Sequence, residues 1–256
     1  MGKAVVTGCA TGIGAATRKR LEAQGLEVIG VDIKDAEVIA DLSTADGRRK
    51  AIEDVLGLSA GRLDRGAFCA GLGGHVADIG KVVSVNYFGA VELIDGLLPG
   101  FQRGDDPAVV VIASNSAAMS EFIADGEIVT ACLEGDEKTA LAETLAKDSG
   151  QMAYLASKNA VARAVRRRSE SWGEAGVRLN AICPGPTKTP LLEGGLETPG
   201  AGEAIRGLPV PLGRWAEADE MAGVIEFLLG PGTAFVHGSI WYADGGTDAM
   251  IRPDKF

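Results

Sequence analysis

Short apolar runs alternate with longer amphipathic stretches along the whole chain, and that rhythm admits few folds. "KAVVTG" (3–8), "EVIGVD" (27–32), "RGAFCAG" (65–71) and "AVVVIAS" (108–114) have strand length, with a weaker run at "VIADLS" (38–43). "VRLNAICPG" (177–185) and "SIWYADGG" (239–246) supply the last strands. Between them lie helical periods at 14–25, 47–57, 82–101, 154–176 and 217–230, the first and fourth closed by Gly25 and Gly176. Strands that alternate with helices need right-handed crossovers. The pattern therefore predicts an α/β chain: a Rossmann-type doubly wound parallel sheet of about seven strands in three αβα layers.

Two segments break the rhythm. Residues 117–150 form a long excursion expected to hold one or two helices, and residues 186–213 are rich in Gly and Pro with no clear period. No linker interrupts the 256 residues, so 1–256 is expected to be one dinucleotide-binding and catalytic domain. Hydrophobic residues make up 46% and aromatics only 5%, a balance suited to parallel strands covered on both faces. The net charge of −10 repels phosphate backbones, which argues against nucleic acid. No apolar run reaches membrane-spanning length, and a strand starting at Lys3 leaves no room for a signal peptide. Cys9, Cys69, Cys132 and Cys183 lie far apart without a C-x-x-C, as expected of buried reduced thiols in a cytoplasmic protein with no metal site.

"TGCATGIG" (7–14) follows the first strand and opens a helix. Gly8, Gly12 and Gly14 let the backbone turn tightly and approach a ligand, and the helix N-terminus offers unpaired N–H groups to a pyrophosphate. A glycine cluster alone makes only a tight turn. Here an acid, Asp32, also ends the second strand, where a carboxylate accepts hydrogen bonds from adenosine ribose hydroxyls and repels a 2′-phosphate. Thr11 and the rest of the loop are uncharged, with Lys34 the one opposing charge, so NAD is favoured over NADP.

Tyr154 and Lys158 in "YLASK" stand at i and i+4 and share one helix face. In isolation they would be a core aromatic and a surface cation with a buried stem. Next to a cofactor site they suggest chemistry: an ammonium beside a phenol lowers its pKa and makes it a usable acid–base group. Ser114 ends the fifth strand, and Ser116 points to the same side of an extended chain.

With Thr7, Gly8, Gly12 and Gly14 matching T-G-x-x-x-G-x-G, "VNYFGA" (85–90), Y-x-x-x-K and "PGPTKT" (184–189), the chain resembles the short-chain dehydrogenase/reductase family almost end to end. The resemblance implies that Ser114, Tyr154, Lys158 and Asn86 are the catalytic set. Tyr154 would move the proton, Ser114 would hold the substrate oxygen, and Lys158 would hold the nicotinamide ribose. Asn86 would hold a water leading from the lysine to solvent. The family spacing favours Ser114 over Ser116. Asp41 and Leu42 would flank the adenine, and Pro184, Gly185, Thr187 and Thr189 would fix the carboxamide. Ile13, Ile33, Cys69, Ala70 and Gly71 would also line the cofactor. Phe68 and Cys69 replace the family's asparagines in N-N-A-G, which puts a sheet-stabilising hydrogen bond in question.

Within the family, "SVNYFGA" (84–90), the long insert and the tail "FVHGSIWYADGGTDAMIRP" (235–253) are similar to members that interconvert 3α-hydroxysteroids and 3-oxosteroids with NAD. Leu191, Leu192, Leu196, Leu208, Val210 and Trp215 beside the proline-rich loop suit a small apolar alcohol or carbonyl, or a steroid. Alternatives are a sibling dehydrogenase acting on another apolar alcohol, carbonyl or quinone, and an NAD-sensing regulator without catalysis. Family members associate through long helices, one surface of which the insert could cover. A homodimer through 217–246 is therefore expected in place of a tetramer. "RAVRRRS" (163–169) is expected to be a solvated helix face or subunit rim, and His75 and His237 carry no assigned role.

Overall fold

The computed structural model describes residues 1–122 and 126–255. Its main sheet is all parallel: β1 (Lys3–Thr7), β2 (Glu27–Asp32), β3 (Val38–Ile39), β4 (Arg65–Phe68), β5 (Ala108–Ile112), β6 (Arg178–Pro184) and β7 (Ile240–Ala243). In space they run β3-β2-β1-β4-β5-β6-β7. The order reverses between β1 and β4, which opens a crevice at the carboxyl ends of those strands. Helices cover both faces. Val5, Phe68, Val109, Val111 and Leu179 pack into one core, and Val6, Ala67, Val110 and Ile182 into the other.

On the second face α1 (Gly12–Ala23) packs against the helix Ala218–Leu229, called α9 below, and Arg20 ties them through Asp219 and Glu226, each at 2.7 Å. The first face carries α2 (Ala45–Leu58), α3 (Ile79–Phe101), α4 (Glu127–Glu134), α5 (Glu137–Lys147) and α6 (Gly150–Arg167). By length and composition α3 could cross a membrane, which no apolar run of the sequence suggested, but 67% of its most apolar window is buried, as in a core helix. Its middle, Ser84–Gly89, is π-helical, a wider turn of the kind that redirects side chains.

Several boundaries differ from the sequence expectation. The third strand shrinks to two residues. Helix α6 starts four residues before Tyr154 because Ser149 caps it, accepting from the Met152 N–H at 3.3 Å. In the excursion at 117–150, α4 and α5 follow a 3₁₀ turn at Asn115–Phe122, and residues 123–125 lie outside the described residues. Arg48, 1% exposed, pins α5 to the domain through Glu137 at 2.5 Å and Glu92 at 2.7 Å, and donates to the Leu42 carbonyl. The segment at 186–213 is not irregular: it holds α7 (Pro190–Glu197) and α8 (Ala201–Gly207). A two-residue parallel ladder, Thr187–Lys188 against Ala216–Glu217, joins its two ends.

Candidate active site

A cavity of about 680 Å³ occupies the crevice at the carboxyl ends of the strands. Its floor is the turn from β1 into α1. Gly8 has φ of 66°, and a methyl group there would lie 2.8 Å from the Ala70 backbone. A methyl group on Gly14 would fall 2.0 Å from the Gly8 carbonyl oxygen, so only glycine lets the helix start this close to the turn. Thr11 precedes α1 without spending its side chain as a cap. The first-turn N–H groups and the positive end of α1 thus face a bare backbone cradle suited to a pyrophosphate. The hydrogen bond put in question by Phe68 and Cys69 is replaced: Thr7 accepts from the Ala70 N–H at 3.1 Å through its hydroxyl and from the Cys69 N–H at 3.2 Å through its carbonyl.

At one end of the cavity Asp32 closes β2. Its carboxylate is held by the Ala10 N–H at 3.0 Å and the Ile33 N–H at 2.7 Å. Behind it Arg18 is engaged with Glu37 at 2.7 Å and Glu22 at 2.8 Å. Asp41 accepts from the Ser43 N–H at 2.9 Å, and those Ser43 hydrogen bonds hold its carboxyl below the usual carboxylate range. Carboxylates of this kind suit ribose hydroxyls better than a phosphate, with the Lys81 ammonium acting on Asp41 from the same cavity. The residues present therefore fit an adenine dinucleotide: glycine cradle, ribose acid, and Leu42 on the adenine side.

At the other end Ser114 and Tyr154 both line the cavity. Ser114 Oγ accepts from the Ser116 N–H at 3.2 Å, and it is Ser114, not Ser116, whose hydroxyl bears on the phenol's proton affinity. Burial pushes the Tyr154 pKa up, and the Ser114 hydrogen bond pulls it part of the way back. The expected depression by Lys158 is absent in this geometry. The Lys158 ammonium turns to the wall, donating to the Ile112 carbonyl at 2.9 Å, and its own burial lowers its pKa to about 8. Asn86, 1% exposed, lies behind the cavity wall. Its amide nitrogen donates to the Leu72 carbonyl at 3.0 Å and to Ser157 Oγ at 3.1 Å, and its oxygen accepts from the Leu72 N–H at 2.7 Å. Both amide hydrogens are thus committed to protein, so the amide fastens the wall, and a water here would donate to an Asn86 oxygen.

Apart from Asn86, every residue expected to catalyse or to bind the cofactor lines this one cavity, Thr189 and the Pro184-Gly185 turn included. Thr189 caps α7, accepting from the Leu192 N–H at 3.3 Å, and its methyl group would meet a side chain at Gly12 at 3.1 Å. The lid α7–α8 brings Leu191, Leu192, Ile205 and Leu208 to the cavity. Leu196, Val210 and Trp215 are not among its lining residues. Sequence reasoning missed His75, Lys81, Gln151 and Leu155, which also line it. For Gln151 and Leu155 a signal existed, since they lie three before and one after Tyr154 on the same helix. His237 is structural: it accepts from the Leu179 N–H through Nδ1 at 3.0 Å, and Nε2 lies 2.7 Å from the Ser169 carbonyl. Arg168, in the basic stretch, pairs with Asp95 at 2.6 Å.

Such a site can transfer a proton at a fixed point, the Tyr154 hydroxyl, beside a dinucleotide cradle and under an apolar cover. Known proteins share this architecture. The short chain dehydrogenase family model matches residues 2–124, and the model described as enoyl-(acyl carrier protein) reductase matches 138–248. The chain is 52% identical to a 3-alpha-hydroxysteroid dehydrogenase/carbonyl reductase of Comamonas testosteroni, over 98% of each chain. It is 31% identical to a 2-dehydro-3-deoxy-D-gluconate 5-dehydrogenase of Pseudoalteromonas atlantica, over 95% of this chain and 94% of that one. Among solved structures, the 3-alpha-hydroxysteroid dehydrogenase from Pseudomonas sp. B-0831 complexed with NADH superposes with a TM-score of 0.97 at 43% identity, covering 99% of this chain and 100% of the other.

Proposed function

Because the chain belongs to the short-chain dehydrogenase/reductase family, we propose that it is an NAD(H)-dependent oxidoreductase that interconverts a 3α-hydroxysteroid and its 3-oxosteroid. The observation that carries this reading is that Ser114, Tyr154 and Lys158 line one cavity together with the glycine cradle and a leucine-lined lid. The 52% identity to a 3-alpha-hydroxysteroid dehydrogenase/carbonyl reductase supports the substrate class.

A nicotinamide cofactor, when bound, donates or accepts the hydride. Gly8, Gly12 and Gly14 hold its pyrophosphate, Asp32 and Asp41 its adenosine side, and Thr187, Thr189 and the Pro184-Gly185 turn its carboxamide. Asp32 and the engagement of Arg18 by two glutamates support NAD over NADP, as does the NADH complex of the Pseudomonas relative. In reduction, the substrate carbonyl oxygen accepts hydrogen bonds from the Ser114 and Tyr154 hydroxyls. As the oxygen gains negative charge, Tyr154 gives it a proton and Ser114 holds the charge. Oxidation reverses both steps and needs the phenolate. Lys158 would hold the ribose hydroxyls, and a positive charge there would favour the phenolate. Asn86 acts one layer back, fixing Leu72 and Ser157 and so the wall against which Lys158 lies.

The chain also associates as a homodimer in this reading, supported by exposed Phe227, Phe235 and Trp241 around the last helix and strand. A light-scattering mass near four chains would contradict it. Four free cysteines suit a reducing, cytoplasmic setting. The test of function is NADH formation over a panel of 3α-hydroxysteroids, 3β-hydroxysteroids and simple secondary alcohols. Absence of turnover with every 3α-hydroxysteroid defeats the steroid reading. Unchanged turnover in Tyr154→Phe defeats the assignment of Tyr154 as the acid–base group, and no turnover with any alcohol or carbonyl leaves an NAD-sensing protein.

A further inference from the structure

His75 follows Gly73 and Gly74 in the segment after β4 and is half-buried at the cavity wall. Glycines surround its ring. A methyl group on Gly194, in the lid helix α7, would lie 2.6 Å from its Nε2 and 3.2 Å from its Cδ2. One on Gly73 would lie 2.6 Å from its Nδ1, and one on Gly195 would lie 3.8 Å from Nδ1. The imidazole therefore fills space that exists because residue 194 has no side chain. Backbone geometry does not account for these glycines: neither Gly194 nor Gly195 has a positive φ, and each weakens the helix by about 1 kcal/mol relative to alanine. The ring accounts for Gly194, and beside Gly195 the nearest atom is Ile205 Cδ1 of α8 at 2.9 Å.

The segment bearing His75 is itself fixed. A methyl group on Gly74 would lie 2.6 Å from the Gly150 carbonyl oxygen, and one on Gly150 would lie 2.0 Å from the Gly74 carbonyl oxygen. Backbone meets backbone there, and Gly150 begins α6, the helix that carries Tyr154. On the lid side Leu191 comes within 3.4 Å of where a Gly73 side chain would start. His75 thus stands between the lid and the helix that bears the phenol.

We propose that His75 is a positioning residue: its imidazole, keyed into the notch at Gly194–Gly195, seats the lid on the tyrosine helix so that α7 holds a bulky apolar substrate over Tyr154. The seating rests on the contacts above, and only the substrate rests on the function proposed in the preceding section. Any alanine at 194 must expel the ring or lift the helix, and either breaks the seat.

The test is a double-mutant cycle of His75→Ala and Gly194→Ala, read in two ways. The first is the rate of tryptic cleavage after Arg206, in the lid helix α8, with NADH saturating and fragments identified by mass. The second is KM and kcat for a 3α-hydroxysteroid. Each single substitution raises the cleavage rate and KM by about fivefold and changes kcat by less than about twofold, as expected when a seat rather than the chemistry is lost. In the His75→Ala background Gly194→Ala adds nothing further, because the methyl group enters the space the ring has left. Additive effects on cleavage, or unchanged cleavage in His75→Ala, overturn the proposal. If no hydroxysteroid is turned over, the substrate reading fails while the cleavage cycle still decides the seat.

Discussion

Replacing Lys158 with methionine should make the protein more stable at neutral pH while removing its turnover. The ammonium is 4% exposed, and burial brings its pKa from the ordinary 10.5 to about 8. At pH 7 the folded chain still carries that charge, and the difference in proton affinity corresponds to about 3 kcal/mol of stability lost on burying it. Methionine removes this cost, fills much the same volume and leaves the Ile112 carbonyl without its partner, a loss of about 1 kcal/mol. The net expectation is a gain of about 2 kcal/mol at pH 7, seen as a higher urea midpoint with an unchanged slope. The sign with pH is fixed by linkage. Between pH 8 and 10.5 the unfolded chain binds the proton that the folded chain has released, so the parent gains stability as pH rises through that window. The variant lacks that gain, and its advantage shrinks toward pH 10. Burial pushes Cys69 and Cys183 up to about 12 even beside the ammonium, so both thiols stay protonated in the folded parent and variant below pH 10. A methionine variant no more stable than the parent at pH 7 would refute the reasoning.

Asn86→Ala removes three buried hydrogen bonds and should cost about 3 kcal/mol, measurable by urea unfolding. Glu137→Gln weakens the main partner of a guanidinium that is 1% exposed and should cost about 2 kcal/mol of stability. Because the same Arg48 holds the Leu42 carbonyl, NADH titration of that variant should show a Kd raised by a few-fold. Asp32→Ser removes the carboxylate expected at the adenosine ribose, and the ratio of kcat/KM for NADH over NADPH should fall by about tenfold or more. An unchanged ratio would show that Asp32 does not set the preference.

The sheet was legible because its strands are buried on both faces. Runs such as EVIGVD at 27–32 and AVVVI at 108–112 stand out from the polar helices around them, and β2 begins and ends where its sequence does. The cradle was legible for a different reason: Gly8 answers to its positive φ and Gly14 to the Gly8 carbonyl beside it, and sequence spacing records both. The lid was not. Gly194 and Gly195 break the helical signal of α7, and glycine is tolerated there because a ring from another segment occupies the gap. The remaining local signal, Thr189 before Pro190, is a cap followed by a first-turn proline. The direction of Lys158 was equally hidden. Spacing puts it on one face with Tyr154, but which polar atom its ammonium meets depends on where the end of β5 lies, and that is settled by tertiary packing. The ties of the Asn86 side chain were hidden too, because its partners Leu72 and Ser157 lie far from it in the chain.

The ladder that joins Thr187–Lys188 to Ala216–Glu217 makes the lid a cassette with a built-in minimum size. Both ends of residues 189–215 return to one small docking point, reinforced by the Lys188–Glu217 ion pair, so an exchange that keeps Thr189 and the Arg214–Glu220 pair to α9 leaves the junction intact. Because the two strands are parallel, the chain must travel back along the ladder before it re-enters, and a tight hairpin cannot bridge them; a crossover of about a dozen residues is the least that will. Grafted covers of different length are therefore tolerated above that limit, and pocket shape can be varied by recombination at two fixed junctions.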